Sequence, residues 1–265
     1  MEKLLRIPVA LVAAVVAVYL VTTASAFAYS SGSTGYDIGY LQCGTSFPNG
    51  SFGIVGVDSG WPFISSAHPG NPCFADEYAH ANGSASTTTA GIYLNTGFDP
   101  IYTDSNHTTA DCASKSAAVA GTTSQQAAWA AGCSEAEKDL GYLTSIGIAS
   151  NPAAWWLDVE TSNSWCGQPS TNCTDLSLNR YTLQGLTDIL NLNSSSPVGL
   201  YSTSYQWNAI VGDGFISGAS SDWYATGQRS SKRLASYCVS RSFNGLPVSL
   251  VQWTPSSTTD RDYAC

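Results

Sequence analysis

Charge is scarce in this chain. Only 11% of its 265 residues are charged, and 10 basic against 19 acidic side chains leave a net charge of -9. A field of that sign repels polyphosphate and so few Lys and Arg cannot offset it, which excludes a nucleic-acid surface. Histidine is rarer still: His68, His80 and His107 stand apart without ligand spacing, and no C-x-x-C occurs. Zinc and dithiol redox chemistry therefore have no carrier, and no metal is expected. The chain also lacks a G-x-S-x-G elbow, a P-loop and a dinucleotide fingerprint. Esterase, nucleotide and hydride-transfer readings fall with them, and no cofactor is expected. Internal repeats are missing too.

What is present is a sequence able to bury a core: 43% hydrophobic residues, with 24 Gly and 11 Pro to punctuate many short elements. Disorder is excluded. The N-terminus carries Lys3 and Arg6, then an uncharged apolar run from Ile7 to Val21, then the A-x-A sequences Ala24-Ser25-Ala26 and Ala26-Phe27-Ala28. That order is the one a signal peptidase reads, so residues 1–28 are expected to be a cleaved signal peptide, residues 29–35 a short linker and residues 36–265 one domain. An uncleaved anchor is the rival, because the uncharged stretch continues to Tyr29 and could just span a hydrocarbon core of about 30 Å. Removal would leave a mature net charge of -10.

All eight cysteines follow the cleavage site. An even count in an exported chain reads as four disulfides, with Cys166 to Cys173 and Cys238 to Cys265 the economical neighbour pairs, although sequence alone does not fix connectivity. The expected setting is extracellular, and the expected state a monomer.

Eight short apolar runs read as strands: Tyr36 to Leu41, Phe52 to Asp58, Ala90 to Thr96, Ala154 to Glu160, Pro197 to Ser202, Asp222 to Thr226, Leu234 to Cys238 and Val248 to Thr254. Runs such as FGIVGV are apolar on both parities, as strands covered on both faces are. Helical spacing falls between them at Phe74 to Ala81, Gln125 to Ser145 and Leu178 to Leu192. Strands alternating with helices predict an α/β chain, and the short later helices make it an irregular (β/α)8 TIM-like barrel in a single domain. The polar stretch from Gly97 to Ser124 is too long for a turn; it is either an excursion stapled by Cys112 or a loop over the rim.

The most informative segment is Ala154-Trp155-Trp156-Leu157-Asp158-Val159-Glu160. Strand side chains alternate, so Asp158 and Glu160 project to one side with Cα atoms roughly 6.5 to 7 Å apart. The pair ends its strand, where parallel barrels keep their catalytic groups. Two carboxyls crowded into a partly dry pocket cannot both ionise easily, so one holds a proton near neutral pH. Glycosidic cleavage uses that arrangement: an acid for the leaving oxygen and an anion for the cationic centre. Asp37, Asp58, Asp260 and Asp262 also fall at strand ends and would add to an anionic pocket. For Asp37 or Asp58, a local turn role is as good a reading. Tyr40, Trp61, Tyr93, Tyr201, Tyr224 and Trp253 lie near strand ends, where rings could stack on sugars. Trp155 and Trp207, inside elements, read as core.

Taken in order, these motifs resemble the family 25 glycoside hydrolases, lysozymes (N-acetylmuramidases) built on an irregular βα barrel. The matching stretches are Gly35-Tyr36-Asp37-Ile38 with Gln42; Phe74 to Ala79 with Ala90-Gly91-Ile92-Tyr93; Trp156-Leu157-Asp158-Val159-Glu160; Pro197 to Ser202 with Trp207; and Leu250-Val251-Gln252-Trp253 ahead of Asp260 and Asp262. The resemblance implies a secreted enzyme cleaving β-1,4 linkages of peptidoglycan or a related amino-sugar polymer. It implies Glu160 as general acid, Asp158 as the group that orients or polarises the substrate's N-acetyl group, and Asp37 beside them. Asp58, Trp61, Tyr93, Tyr201, Trp253, Asp260 and Asp262 would bind substrate. It further implies that the N-acetyl oxygen is the internal nucleophile, an exception to the two-carboxylate scheme. Two strand ends depart from the family: Val57-Asp58-Ser59-Gly60-Trp61 replaces a Thr-Glu-Gly type ending, and Tyr93-Leu94-Asn95-Thr96 replaces a Tyr-His-Phe type ending. The alternative those departures permit is a catalytically silent, glycan-binding barrel of the same fold.

Overall fold

In the computed structural model, residues 29–65, 67–83 and 88–265 are described. The predicted signal peptide lies outside them. Eight strands close into one barrel in sequence order: β1 (Thr34–Ile38), β2 (Gly53–Gly56), β3 (Gly91–Asn95), β4 (Trp155–Asp158), β5 (Val198–Ser202), β6 (Ala219–Ala225), β7 (Val248–Ser256) and β8 (Thr259–Ala264). β1 to β7 run parallel, and β8 is antiparallel to both β7 and β1. Six helices are seen among the described residues: α1 (Phe74–Gly83), α2 (Ala110–Ser116), α3 (Thr123–Ser145), α4 (Leu176–Asn193), α5 (Ser204–Ile210) and α6 (Leu234–Ser240). A 3-10 turn (Tyr40–Gln42) is all that joins β1 to β2, and β7 turns directly into β8. The α/β barrel is therefore irregular, in a single domain.

The strand pattern sorts two layers. Outward residues such as Tyr36, Val55, Ile92, Leu94, Trp155, Leu157, Val198 and Leu200 join the helix faces in one large core. Inward residues Phe52, Ile54, Ala154, Trp156, Tyr201, Trp223, Leu250 and Ala264 make a second core inside the barrel. Burying a Leu, Ile or Phe side chain stabilises by roughly 1.5–3 kcal/mol, which is why both parities of β4 are apolar below its acids. Helix starts are fixed by side-chain caps: Thr122 with Gln125 forms a capping box for α3, Asp175 caps α4 and Thr203 caps α5. A Cβ at Gly199 would run into the Trp156 ring, so this glycine admits the large indole to the barrel interior.

The eighth strand is not the expected one. Leu234 to Cys238 forms α6, which packs Leu234 against Val248, Val251 and Trp253. β6 pairs directly with β7, and the eighth strand is Thr259–Ala264 between β7 and β1, whose inward positions Asp260 and Asp262 hide the apolar alternation that marks a strand. The linker reading of residues 29–35 also needs correction. The Gly32 N–H donates to the Ala264 carbonyl (2.8 Å), Thr34 already belongs to β1, and the Tyr29 ring packs on Phe52 at 4.5 Å between centroids. This segment closes the N-terminal end of the barrel. The stretch from Gly97 to Ser124 holds α2, tied to α3 by Cys112 and Cys133, and lines no part of the cavity described below. The other disulfides join Cys43 to Cys73, Cys166 to Cys173 and Cys238 to Cys265. Among the described residues no helix is long and apolar enough to cross a membrane.

Candidate active site

At the C-terminal mouth of the barrel, inward side chains stop being apolar. Asp37 ends β1, Tyr93 and Asn95 end β3, Asp158 ends β4 with Glu160 just past it, Tyr201 comes from β5, and Gln252, Thr254 and Asp260 from the β7–β8 hairpin. These groups, with Trp223 and Leu41, line one cavity of about 400 Å³. Asp158 is 7% exposed and Glu160 half-buried.

The backbone carrying the two acids is clamped from both sides. The Asp158 carbonyl accepts from Thr96 Oγ1 (2.5 Å), and the Glu160 carbonyl accepts from Trp165 Nε1 (3.0 Å). Between them, the Val159 N–H donates to the Tyr201 carbonyl (2.9 Å) and Ser202 Oγ donates to the Val159 carbonyl (2.8 Å). Gln206 of α5 accepts from the Thr161 N–H (2.7 Å) and offers its amide to Glu160 Oε1 (3.4 Å). Such a scaffold holds both carboxyls without relying on each other, which like charges require.

Burial is the main cause of the electrostatics. It pushes the Asp158 carboxyl well above its usual range, reinforced by Glu160 and Asp58; Oδ1 has no hydrogen-bond partner. Burial raises Glu160 as well, and the Gln206 amide pulls the other way. Asp37 is pushed up to about 7 by burial and then by Asp260, its cross-strand neighbour. Gln252 counters this by donating to Asp37 Oδ2 (3.0 Å) while accepting from the Tyr201 hydroxyl (2.7 Å), a chain that fixes which way the Gln252 amide faces. Asp260 is raised by burial and steadied by Thr254 Oγ1 at 2.6 Å.

Not all expected site residues meet there. Asp158, Glu160, Asp37, Tyr93, Tyr201 and Asp260 line the cavity. Asp262 lies one inward step deeper on β8, fully buried, accepting from Trp223 Nε1 (2.8 Å) and held well above its usual range by burial and Asp37. Asp58 is also withdrawn: its carboxylate accepts from the Asn95 N–H (2.7 Å), Asn95 Nδ2 (2.6 Å) and the Gly60 N–H (2.9 Å). The segment after β2 and the end of β3 thus meet in one Asp58–Asn95 pair, which leaves the Asn95 amide, and not the Asp58 acid, in the cavity lining. Trp253 has the parity opposite to Gln252 and packs outside the barrel with Leu234 and Val251. Trp61, 51% exposed, stacks on His68 at 4.3 Å and is not among the residues that line this cavity. Tyr40 and Tyr224 are likewise absent from the cavity lining, and Tyr224 packs near Tyr237. Trp155 and Trp207 are core, as read.

Sequence reasoning missed Asn95, Gln206, Trp223, Gln252, Thr254 and Leu41. Parity carried a signal for two of them, since Asn95 follows Tyr93 and Gln252 follows Leu250 on the inner face. Tyr93 itself lies over Gly39 and Gly56, where a Cβ would collide with its ring. For a metal, Cys112, Cys133 and Glu137 are close together, but the two sulfurs are joined in a disulfide and cannot act as thiolates.

No protein-family model matches the chain, and no curated protein is similar to it in sequence. Solved structures are similar in fold. A family GH25 lysozyme from Aspergillus fumigatus superposes with a TM-score of 0.52 at 13% identity, covering 88% of this chain and 94% of that one. A muramidase from Acremonium alcalophilum gives 0.50 at 16% identity, with 88% and 93% covered. A muramidase from Trichobolus zukalii gives 0.50 at 14% identity over the same shares. The chain therefore has the barrel fold of these proteins along nearly their whole length.

Proposed function

We propose that this chain is an exported glycoside hydrolase that cleaves peptidoglycan or a closely related amino-sugar polymer, with Glu160 as general acid and Asp158 acting on the substrate's N-acetyl group. The observation that carries the reading is the convergence of Asp158 and Glu160, on separately clamped backbone, in one cavity at the barrel mouth. Glu160, half-buried and raised, keeps its proton to higher pH than an exposed Glu and delivers it to the leaving glycosidic oxygen. As that C–O bond breaks, the N-acetyl carbonyl oxygen forms a bond to the anomeric carbon and the amide becomes an oxazolinium-like cation. Asp158 stands beside the amide. Its anion is costly in an empty cavity; as the substrate amide meets it and positive charge grows there, the Asp158 proton passes to water and the anion is stabilised where the transition state needs it. Water then attacks the anomeric carbon as its bond to the acetyl oxygen breaks, which restores the N-acetyl group, and the water's proton passes to the Glu160 carboxylate and restores the acid. Asp37 and Asp260 add negative potential, while Tyr93, Tyr201, Asn95 and Gln252 offer hydrogen bonds and ring faces to the sugar.

The four disulfides and the predicted signal peptide fit an extracellular setting, with residues 1–28 removed. Loss of turbidity of a peptidoglycan suspension tests the activity. Wild type clears it, while Glu160→Gln and Asp158→Asn, with melting temperatures retained, do not. Equal lysis by all three would overturn the residue roles. No lysis by wild type, with oligosaccharide binding intact, would transfer the reading to a glycan-binding barrel.

A further inference from the structure

Beside the acid-lined cavity lies a second cleft, of about 680 Å³, between the β1–β2 connection and the β7–β8 hairpin. The two hollows meet at Asp37 and Leu41, which line both. Leu41 is 73% exposed, an apolar side chain held out at the junction. Beyond it the chemistry reverses. The first cavity holds four acids and no cation. The second shares Asp37 at the junction and beyond it has hydroxyls from Thr45, Ser46, Ser257, Thr258 and Thr259 and the guanidinium of Arg261.

Arg261 sits on β8 next to Asp260, but strand alternation turns it to the opposite face. Nη1 donates to the Asn49 carbonyl (2.6 Å), which fixes the side chain and leaves most of its five donors unused. Among the described residues the salt bridges involve His107, Lys115, Asp104, Asp111 and Glu137, so no carboxylate neutralises Arg261. In a chain with nearly twice as many acids as bases, this positioned cation thus has no ion pair among the described residues at the edge of the acidic mouth.

We infer that this cleft binds a carboxylate-bearing arm of the substrate, with Arg261 as the recognising group. The inference rests on the proposed glycan reading and deepens it. On alternate sugars peptidoglycan carries a lactyl group whose carboxyl is either free or joined to a peptide that bears carboxylates of its own. The four acids of the first cavity repel such a group, whereas the planar fork of Arg261 accepts it through charge-assisted hydrogen bonds. Leu41 covers the apolar atoms between. Repulsion on one side and attraction on the other set which way along the groove the polymer lies.

Calorimetric titration tests this with two probes: a tetrasaccharide of alternating N-acetylglucosamine and N-acetylmuramyl-dipeptide, and the same compound with every carboxylate converted to a primary amide. Binding is measured in the Glu160→Gln protein, alone and combined with Arg261→Gln or Arg261→Lys. Gln can still donate to the Asn49 carbonyl, and Lys keeps the charge without the fork. The expected result is tighter binding of the acid probe, weakened roughly tenfold by Arg261→Gln and less by Arg261→Lys, with affinity for the amide probe unchanged. Equal affinity for the two probes, a preference that survives Arg261→Gln, or an equal loss for both would overturn the inference. Should wild type lyse no wall while the Arg261-dependent preference holds, the hydrolase reading fails and the carboxylate site stands.

Discussion

The floor and the mouth of the barrel are built on the same inward positions and have opposite chemistry. Along β4 and its flanks, Ala154 and Trp156 face inward near the floor, and Asp158 and Glu160 continue the same alternation at the mouth. Below, Tyr29, Phe52 and Trp156 fill the interior, and Trp156 Nε1 reaches the Tyr29 hydroxyl at 3.5 Å. Above, four acids share a cavity. The floor is where the barrel gains stability from burial; the mouth is where it accepts the cost of crowded carboxyls. An aromatic plug that excludes water from beneath is also what keeps the acids in a poorly screened setting and so raises their proton affinity.

Substitution at the two ends separates these roles. At the mouth, Glu160→Gln is expected to lower the rate of wall lysis by about 10²–10⁴-fold, the range of a lost general acid, with little change in melting temperature. Asp158→Asn should do the same while leaving stability equal or higher, because it removes one of the crowded charges. Assays of lysis beside thermal melts check both. At the floor, Trp156→Ala should cost about 3–5 kcal/mol of stability by denaturant titration, as a large buried aromatic leaves a cavity that its neighbours cannot fill. A floor variant that melted normally yet lost all lysis would break the division.

Proton binding sharpens it further. Carboxyls raised in the folded state bind protons more tightly than in the unfolded chain, so they favour folding at low pH and lose that contribution as pH rises through their folded values. For Asp37 the window runs from its ordinary 3.8 to about 7. The melting temperature should therefore fall across that range, and Asp37→Asn should flatten the fall. Lysis should also decline on the basic side as Glu160 surrenders its proton. A melting temperature that climbed steadily to neutral pH would contradict the crowding.

Much of the mouth was legible because alternation is a strict rule: a strand that is apolar on both parities and then reads D-x-E places both acids together wherever it ends. The parallel barrel followed from alternating strands and helices. The eighth strand did not, because Asp260 and Asp262 occupy inward positions where partners that the fold supplies meet them, Thr254 across the hairpin and Trp223 from β6. The sequence of short α6 resembles a strand because seven residues are too few for helical periodicity to show. Gln206 and Gln252 escaped since an amide carries no charge pattern; only the fold brings Gln252 to Asp37 across 215 residues of chain. The packing of Tyr29 into the floor was equally invisible, being a matter of where β8 ends.

Trp253 supplies the finest distinction between inside and outside. It neighbours Gln252 on β7, yet alternation sends its ring to the outer face, where it is 8% exposed beside Leu234, Val248 and Val251. A ring in that place shapes the packing of α6 and touches no sugar. Trp253→Phe retains most of the apolar contact and should cost less than about 1.5 kcal/mol, with kcat/KM for wall lysis unchanged. Gln252→Leu, one residue away, should lower kcat/KM because it removes the donor to Asp37 and strands the Tyr201 hydroxyl. If the tryptophan variant lost activity and the glutamine variant kept it, the inner and outer faces of β7 would be assigned the wrong way round, and the cavity built from the inner face would fall with them.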